Sequence, residues 1–106
     1  MKRLIVVCAL ALAGCGREGS IVKLTGDAAN GGALFTSNCA TCHGADGKGT
    51  TSGVDLHAPA KNDSEEEIVS TILNGRSGTA MQPWASTFSD QQIADLYAHI
   101  KTSFGQ

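Results

Sequence analysis

The chain has 106 residues, of which 42% are hydrophobic and 17% charged, and its formal net charge is −2. That length allows one domain. The weak negative charge argues against nucleic acid as a partner and against an electrostatic hold on anionic lipid.

Lys2 and Arg3 precede an apolar run, Leu4–Ala13, that ends in small residues. The run is far short of the roughly 20 residues that a membrane-spanning helix needs. A charged start, a short apolar core and small residues after it have the layout of an export leader. A buried core helix is the alternative, but nothing amphipathic appears in the run. Its end, "LAGC" (Leu12–Cys15), resembles the lipobox of bacterial lipoproteins. The resemblance implies cleavage before Cys15 and acyl chains on that residue, enough of them for stable anchoring. An ordinary secretory leader with a chance cysteine is the rival. The expected organisation is a lipoprotein signal peptide over 1–14, a lipid-anchored tether over 15–26 with glycine joints, and one domain over 27–106. The product would be exported and held on a bacterial membrane, on its periplasmic or cell-surface side. All ten acidic residues lie beyond the leader, whereas Lys2 and Arg3 leave with it, so the mature chain is more acidic. A domain of about 80 residues is marginal and often needs a staple. With Cys8 removed and Cys15 acylated, Cys39 and Cys42 remain to supply one.

Three helices are predicted, with no strand-like alternation of useful length. The first covers Asp27–Asn38: Asp27 suits an N-cap, and Ala28, Gly31, Leu34 and Phe35 share a face. Gly31 and Gly32 each cost about 1 kcal/mol relative to Ala in a helix, which suggests a close approach by another backbone. "GADGKGTTSG" (Gly44–Gly53) reads as loop, continuing through Pro59 to Asn62. The second helix opens with Ser64 and Glu67 in a capping-box pattern. Its first-turn acids Glu65, Glu66 and Glu67 suit the helix dipole; a metal or acid–base cluster is the weaker reading. Ile68, Ile72 and Leu73 form its apolar face, and Asn74-Gly75 stops it. After an irregular stretch, Arg76–Phe88, the third helix starts at Ser89, with Gln92 completing a second capping box. Ile93, Leu96, Tyr97 and Ile100 form its apolar stripe.

The stretch "CATCH" (Cys39–His43) admits three readings. A zinc site needs about four ligands, and beyond Cys39, Cys42 and His43 the obvious fourth would be His57 or His99. A thioredoxin-like pair should follow a strand in an α/β pattern, yet here a helix precedes it. The third reading, covalent attachment of a c-type haem, matches C-x-x-C-H: both thiols bond the porphyrin edge and His43 ligates the iron. Export fits this reading. For the sixth ligand the candidates are Met81, His57 and His99. Met81 lies in "GTAMQPW" (Gly78–Trp84), in an irregular segment 38 residues beyond His43, which suits a chain that wraps round the ring and returns.

The motifs "GGALFTSNCATCHG", "SEEEIVSTILNG", "AMQPW" and "SDQQIADLYAHI" occur in that order. Together they make the stretch Asp27–Phe104 resemble a small class I (mono-haem) bacterial cytochrome c. The resemblance implies an all-α fold of three main helices, with long loops wrapped around one covalent haem c. It implies attachment at Cys39 and Cys42, with His43 and Met81 as axial ligands. Trp84 matches the family's aromatic three residues after the methionine, while Gln82 stands where proline is usual. The family crosses its first and last helices at right angles; Gly31 and Phe35 match one side, and His99 takes an aromatic's place on the other. Val54 or Asp55 falls where a backbone carbonyl receives the proximal histidine's N–H. His57 is read as a loop residue near the haem edge. Arg76 either pairs with a haem propionate or is simply exposed.

The implied function is that of a monomeric, membrane-anchored carrier of single electrons between redox protein partners, and not an enzyme. The alternatives are a haem enzyme or gas sensor with a displaceable Met81, and an electron-transfer subunit of a larger oxidoreductase complex.

Overall fold

The computed structural model describes residues 16–106. The expected leader and Cys15 lie outside the described residues. Helix α1 covers residues 16–22. It is followed by α2 (Ala28–Asn38), α3 (Ala40–His43), α4 (His57–Asn62), α5 (Glu65–Asn74) and α6 (Asp90–Phe104). Among the described residues there is no strand, only an isolated bridge between Thr50 and Gly53. The all-α reading therefore holds, with α2, α5 and α6 as the three long helices.

Each long helix starts where a side chain can satisfy its first orphan N–H groups. Asp27 Oδ1 accepts from the N–H groups of Ala29 and Asn30, at 3.0 and 3.2 Å. Both capping boxes form: Ser64 with Glu67, and Ser89 with Gln92. The three acids of "SEEE" thus sit at the start of α5, where the helix dipole favours them.

Two segments differ from the sequence expectation. The stretch Pro59–Asn62, expected as loop, belongs to α4. Pro59 stands in that helix's first turn, where its missing N–H would have had no acceptor, and Ala60 behind it is fully buried. The segment expected as a tether is in part helical and docked on the domain. Ile21 is fully buried, and its burial overrides the poor helix propensity of Gly16 and Gly19.

The core comprises Phe35, Val69, Leu73, Ile93, Leu96 and Phe104, joined by Ile21 from α1. Of the expected stripe on α6, Ile93, Leu96 and Ile100 are buried, whereas Tyr97 is half-buried. The most extensive helix packing sets α2 against α6. At Gly31 the two backbones touch, and a Cβ there would collide with the Asp95 carbonyl.

Asp95 itself is a buried acid, 3% exposed. Its carboxylate accepts from the Asp27 N–H at 2.7 Å, the Asn30 amide at 2.7 Å and the Gln91 amide at 2.8 Å. Burial alone would raise its pKa, but these three donors outweigh it and hold the group below the ordinary carboxylate value. One side chain thereby ties the start of α2 to the middle of α6.

Two outcomes follow. Gly31→Ala should cost about 3 kcal/mol, read as a lower melting midpoint of the haem-loaded protein by circular dichroism, because neither backbone can yield without parting α2 from α6. Asp95→Asn should cost about 2 kcal/mol, since an amide NH₂ would replace one acceptor facing a donor. The Asp95 contribution is fully present above the unfolded carboxylate pKa of about 3.9. It is lost as pH falls through the lower folded value, so the wild-type and Asp95→Asn melting curves should converge in acid.

Candidate functional site

Helix α2 runs almost directly into α3, and α3 is the stretch Ala40–His43 itself. The short helix points Cys39, Cys42 and His43 into a cavity of about 430 Å³. Apolar side chains from several elements line it, among them Phe35, Leu56, Ile68, Ile72, Leu96 and Ile100. Met81 and Trp84, from the segment between α5 and α6, line the same cavity. His57 and His99 do not. Both pack on Phe104, with ring centroids 5.3 and 5.4 Å away, and His99 also lies 5.1 Å from Phe35. Of the three candidate sixth ligands, the fold therefore brings Met81 alone into the cavity that holds His43.

The loop after α3 orients the histidine. His43 Nδ1 lies 2.9 Å from the Val54 carbonyl oxygen. A carbonyl can only accept, so Nδ1 carries the proton and the Nε2 lone pair is left free to bind a metal. Val54 is one of the two residues that the sequence placed at this position. The loop is pinned back on α3 by Thr50 Oγ1, which donates to the Cys42 carbonyl at 2.7 Å, and by the Gly49 N–H, which donates to the His43 carbonyl at 2.8 Å.

Met81 is held at both of its backbone groups. Its N–H donates to Thr79 Oγ1 at 3.2 Å and its carbonyl accepts from the Arg76 N–H at 3.0 Å. Two further bonds join this segment to the end of α5: Trp84 N–H to the Ile72 carbonyl at 2.9 Å and Ala85 N–H to the Leu73 carbonyl at 3.2 Å. The Trp84 ring stacks on Phe88 at 5.1 Å. Arg76 is exposed and also lines the cavity.

The rival readings of the cysteine pair fit this geometry poorly. Among the described residues, no three of His, Cys, Asp and Glu come together as a metal-holding group. The fourth ligand that zinc would require is therefore not within reach. Burial, reinforced by the neighbouring Cys42, pushes the Cys39 thiol up to about 11, the reverse of the shift that makes a redox thiolate reactive. A haem fits the residues present: an apolar cavity of cofactor size, two thiols and a metal-binding nitrogen on one wall element, and a thioether on another.

Sequence reasoning missed two residues that shape the site's frame, Asp95 and Arg17. A single acid on an amphipathic helix, and a lone arginine among glycines, carry no local signal of long-range partners.

Comparison with known proteins agrees with this geometry. Residues 26–100 match the family model for cytochrome c oxidase, cbb3-type, subunit III. Cytochrome c6 of Thermosynechococcus vestitus is 33% identical over 93% of this chain and 89% of its own length. The cbb3-type cytochrome c oxidase subunit FixP of Azorhizobium caulinodans is 37% identical over 74% of this chain, but only 28% of its own length. Among solved structures, cytochrome cL of Methylophaga aminisulfidivorans superposes with a TM-score of 0.61 at 25% identity, over 69% of this chain. The chain spans about half the length of that structure, 50%. The matched region contains both cysteines, His43 and Met81, and the chain belongs to the cytochrome c family, whose prosthetic group is one covalently bound haem c.

Proposed function

We propose that the chain carries single electrons between redox proteins, through a haem attached at Cys39 and Cys42 and ligated by His43 and Met81. The observation that carries this reading is that His43 and Met81 line one cavity, each with its backbone or ring fixed by hydrogen bonds. Bound there, haem c supplies a one-electron ferric/ferrous couple. The Val54 carbonyl keeps the His43 ring in the tautomer that presents Nε2, and partial negative charge on that oxygen makes the ring a stronger donor. The paired bonds to Thr79 and Arg76 hold Met81 in place, and a His/Met set favours the reduced state and raises the potential. With His43 and Met81 both holding the haem, the chain itself would occupy the places a substrate needs, which sets the carrier reading above the haem enzyme or gas sensor.

The rim of the cavity suits contact with a partner surface. Thr41, Ser52, Val54, Thr79, Ala80 and Gln82 line it, exposed and uncharged, and Asp63 and Arg76 add one exposed charge of each sign. Docking there would rest on shape and apolar contact more than on ion pairs. We further infer export and lipid attachment at Cys15 from the "LAGC" motif and its leader. In that reading the anchor is the acyl chains on Cys15; among the described residues, no helix is long and apolar enough to cross a membrane.

The names of the matched family model and of FixP favour a second reading, an electron-transfer subunit of a membrane oxidase. The two readings part on whether the lipidated protein, extracted from membranes in mild detergent, migrates at its own size or with a larger haem-containing complex.

The carrier reading is tested by spectra of the haem-loaded protein, oxidised, reduced, and reduced under carbon monoxide. The reduced spectrum should not change with carbon monoxide. Met81→Ala should produce a carbon monoxide adduct and a lower reduction potential. A wild-type protein that binds carbon monoxide readily would transfer the assignment to ligand sensing or catalysis.

A further inference from the structure

Helix α1 touches both ends of the segment that carries Met81. The guanidinium of Arg17 directs three N–H groups at the far end of that segment. Nε donates to Asp90 Oδ1 at 2.7 Å, Nη1 to the Ala85 carbonyl at 2.7 Å, and Nη2 to the Phe88 carbonyl at 2.8 Å. At the near end, the amide of Asn74, the last residue of α5, reaches Glu18 at 3.4 Å. Ile21 is fully buried and fixes the helix to the core. Gln91 of α6 donates to the Thr25 carbonyl at 3.0 Å, which secures the chain beyond it.

The segment between Asn74 and Asp90 contains no helix of its own. On one side it hangs from the last carbonyls of α5, through Trp84 and Ala85. On the other it is held by Arg17. Ala85, which bonds to both, is four residues beyond Met81 and next to Trp84, which lines the cavity. A loop fixed at both ends has far fewer conformations than one fixed at a single end. A thioether is a weak ligand, so its occupancy at a metal depends on how well its position is organised beforehand. The planar guanidinium is suited to this task, because it can serve three acceptors at set angles.

We propose that α1 braces the methionine-bearing segment, and that Arg17 is a positioning residue that keeps the Met81 sulfur at the iron. The proposal rests on Met81 as the sixth ligand. The Arg17–Asp90 ion pair alone would contribute little, since both side chains are partly exposed. The bonds to the two backbone carbonyls hold the turn in shape.

The test uses the full haem-loaded chain as wild type, Arg17→Gln, Arg17→Lys and Asp90→Asn. Three quantities are read: the ferric near-infrared band that reports sulfur–iron ligation, carbon monoxide uptake by the reduced protein, and amide hydrogen exchange by mass spectrometry. Arg17→Gln should speed exchange over residues 76–88 by about tenfold, with α2 and α6 unchanged. It should also weaken the sulfur band and admit carbon monoxide. Arg17→Lys should restore little of the band, because a point charge cannot hold both carbonyls. Asp90→Asn should stay close to wild type. An intact band and no carbon monoxide uptake in Arg17→Gln, with exchange unchanged or raised evenly over the chain, would overturn the proposal while leaving Met81 as the ligand. Absence of the band in the wild type would instead overturn the ligand assignment, and the brace with it. Should Arg17→Gln fail to load haem, Arg17→Lys decides the matter: a wild-type band in that variant counts against the proposal.

Discussion

The contact on which the rest of the molecule depends is the meeting of α2 and α6 at Gly31. The missing side chain lets the two backbones touch, and Asp95, at that point on α6, draws the start of α2 against it through two hydrogen bonds, from the Asp27 N–H and the Asn30 amide. Phe35 lies one turn further along α2, and Leu96 follows Asp95 on α6; both line the cavity. The helix contact therefore sets one wall of the site. It also sets the place of the cysteines, because α2 passes into α3 after a single residue. A disturbance at Gly31 would reach the attachment point through rigid helix, with no loop between to absorb it.

The site joins this rigid half to a second half built from irregular chain. The loop after α3 contributes a single backbone oxygen, from Val54, and that atom decides which nitrogen of His43 faces the cavity. The segment after α5 contributes Met81, fixed at both its N–H and its carbonyl. Loops can hold side chains firmly when the backbone groups around them are paired, as those of Met81 are in one segment and the Val54 carbonyl is in the other. The helices supply the apolar walls and the loops supply the polar control.

The parts of this arrangement that were legible in the sequence follow local rules. Asp27, Ser64 and Ser89 announced their helices because a cap and the N–H groups it accepts from lie within three residues. Cys39, Cys42 and His43 announced themselves because the chemistry needs them adjacent. Met81 was harder: spacing left it beside His57 and His99, and the family resemblance favoured it before the fold showed which residue enters the cavity. Pro59 misled, since a proline marks a break in most settings and a first turn in a few. Asp95 and Arg17 were illegible for a common reason. Gln91 apart, which lies four residues from Asp95, their partners are 65 to 73 residues away in sequence, and nothing near either residue reveals them. The glycines around Arg17 suggested slack where buried Ile21 imposes order.

The cavity has a consequence for the history of each molecule. Phe35, Ile68, Ile72, Leu96 and Ile100 all present part of their surface to it, so in a chain this short the apolar interior is completed by something that is not polypeptide. Packing of that interior is what offsets the conformational entropy of folding. Until a haem is bonded to Cys39 and Cys42, the side chains that line the cavity would lack the apolar partner it is shaped for, so the chain would be less stable before attachment than after it. Covalent attachment would make that gain permanent, because a bonded group cannot dissociate from the cavity.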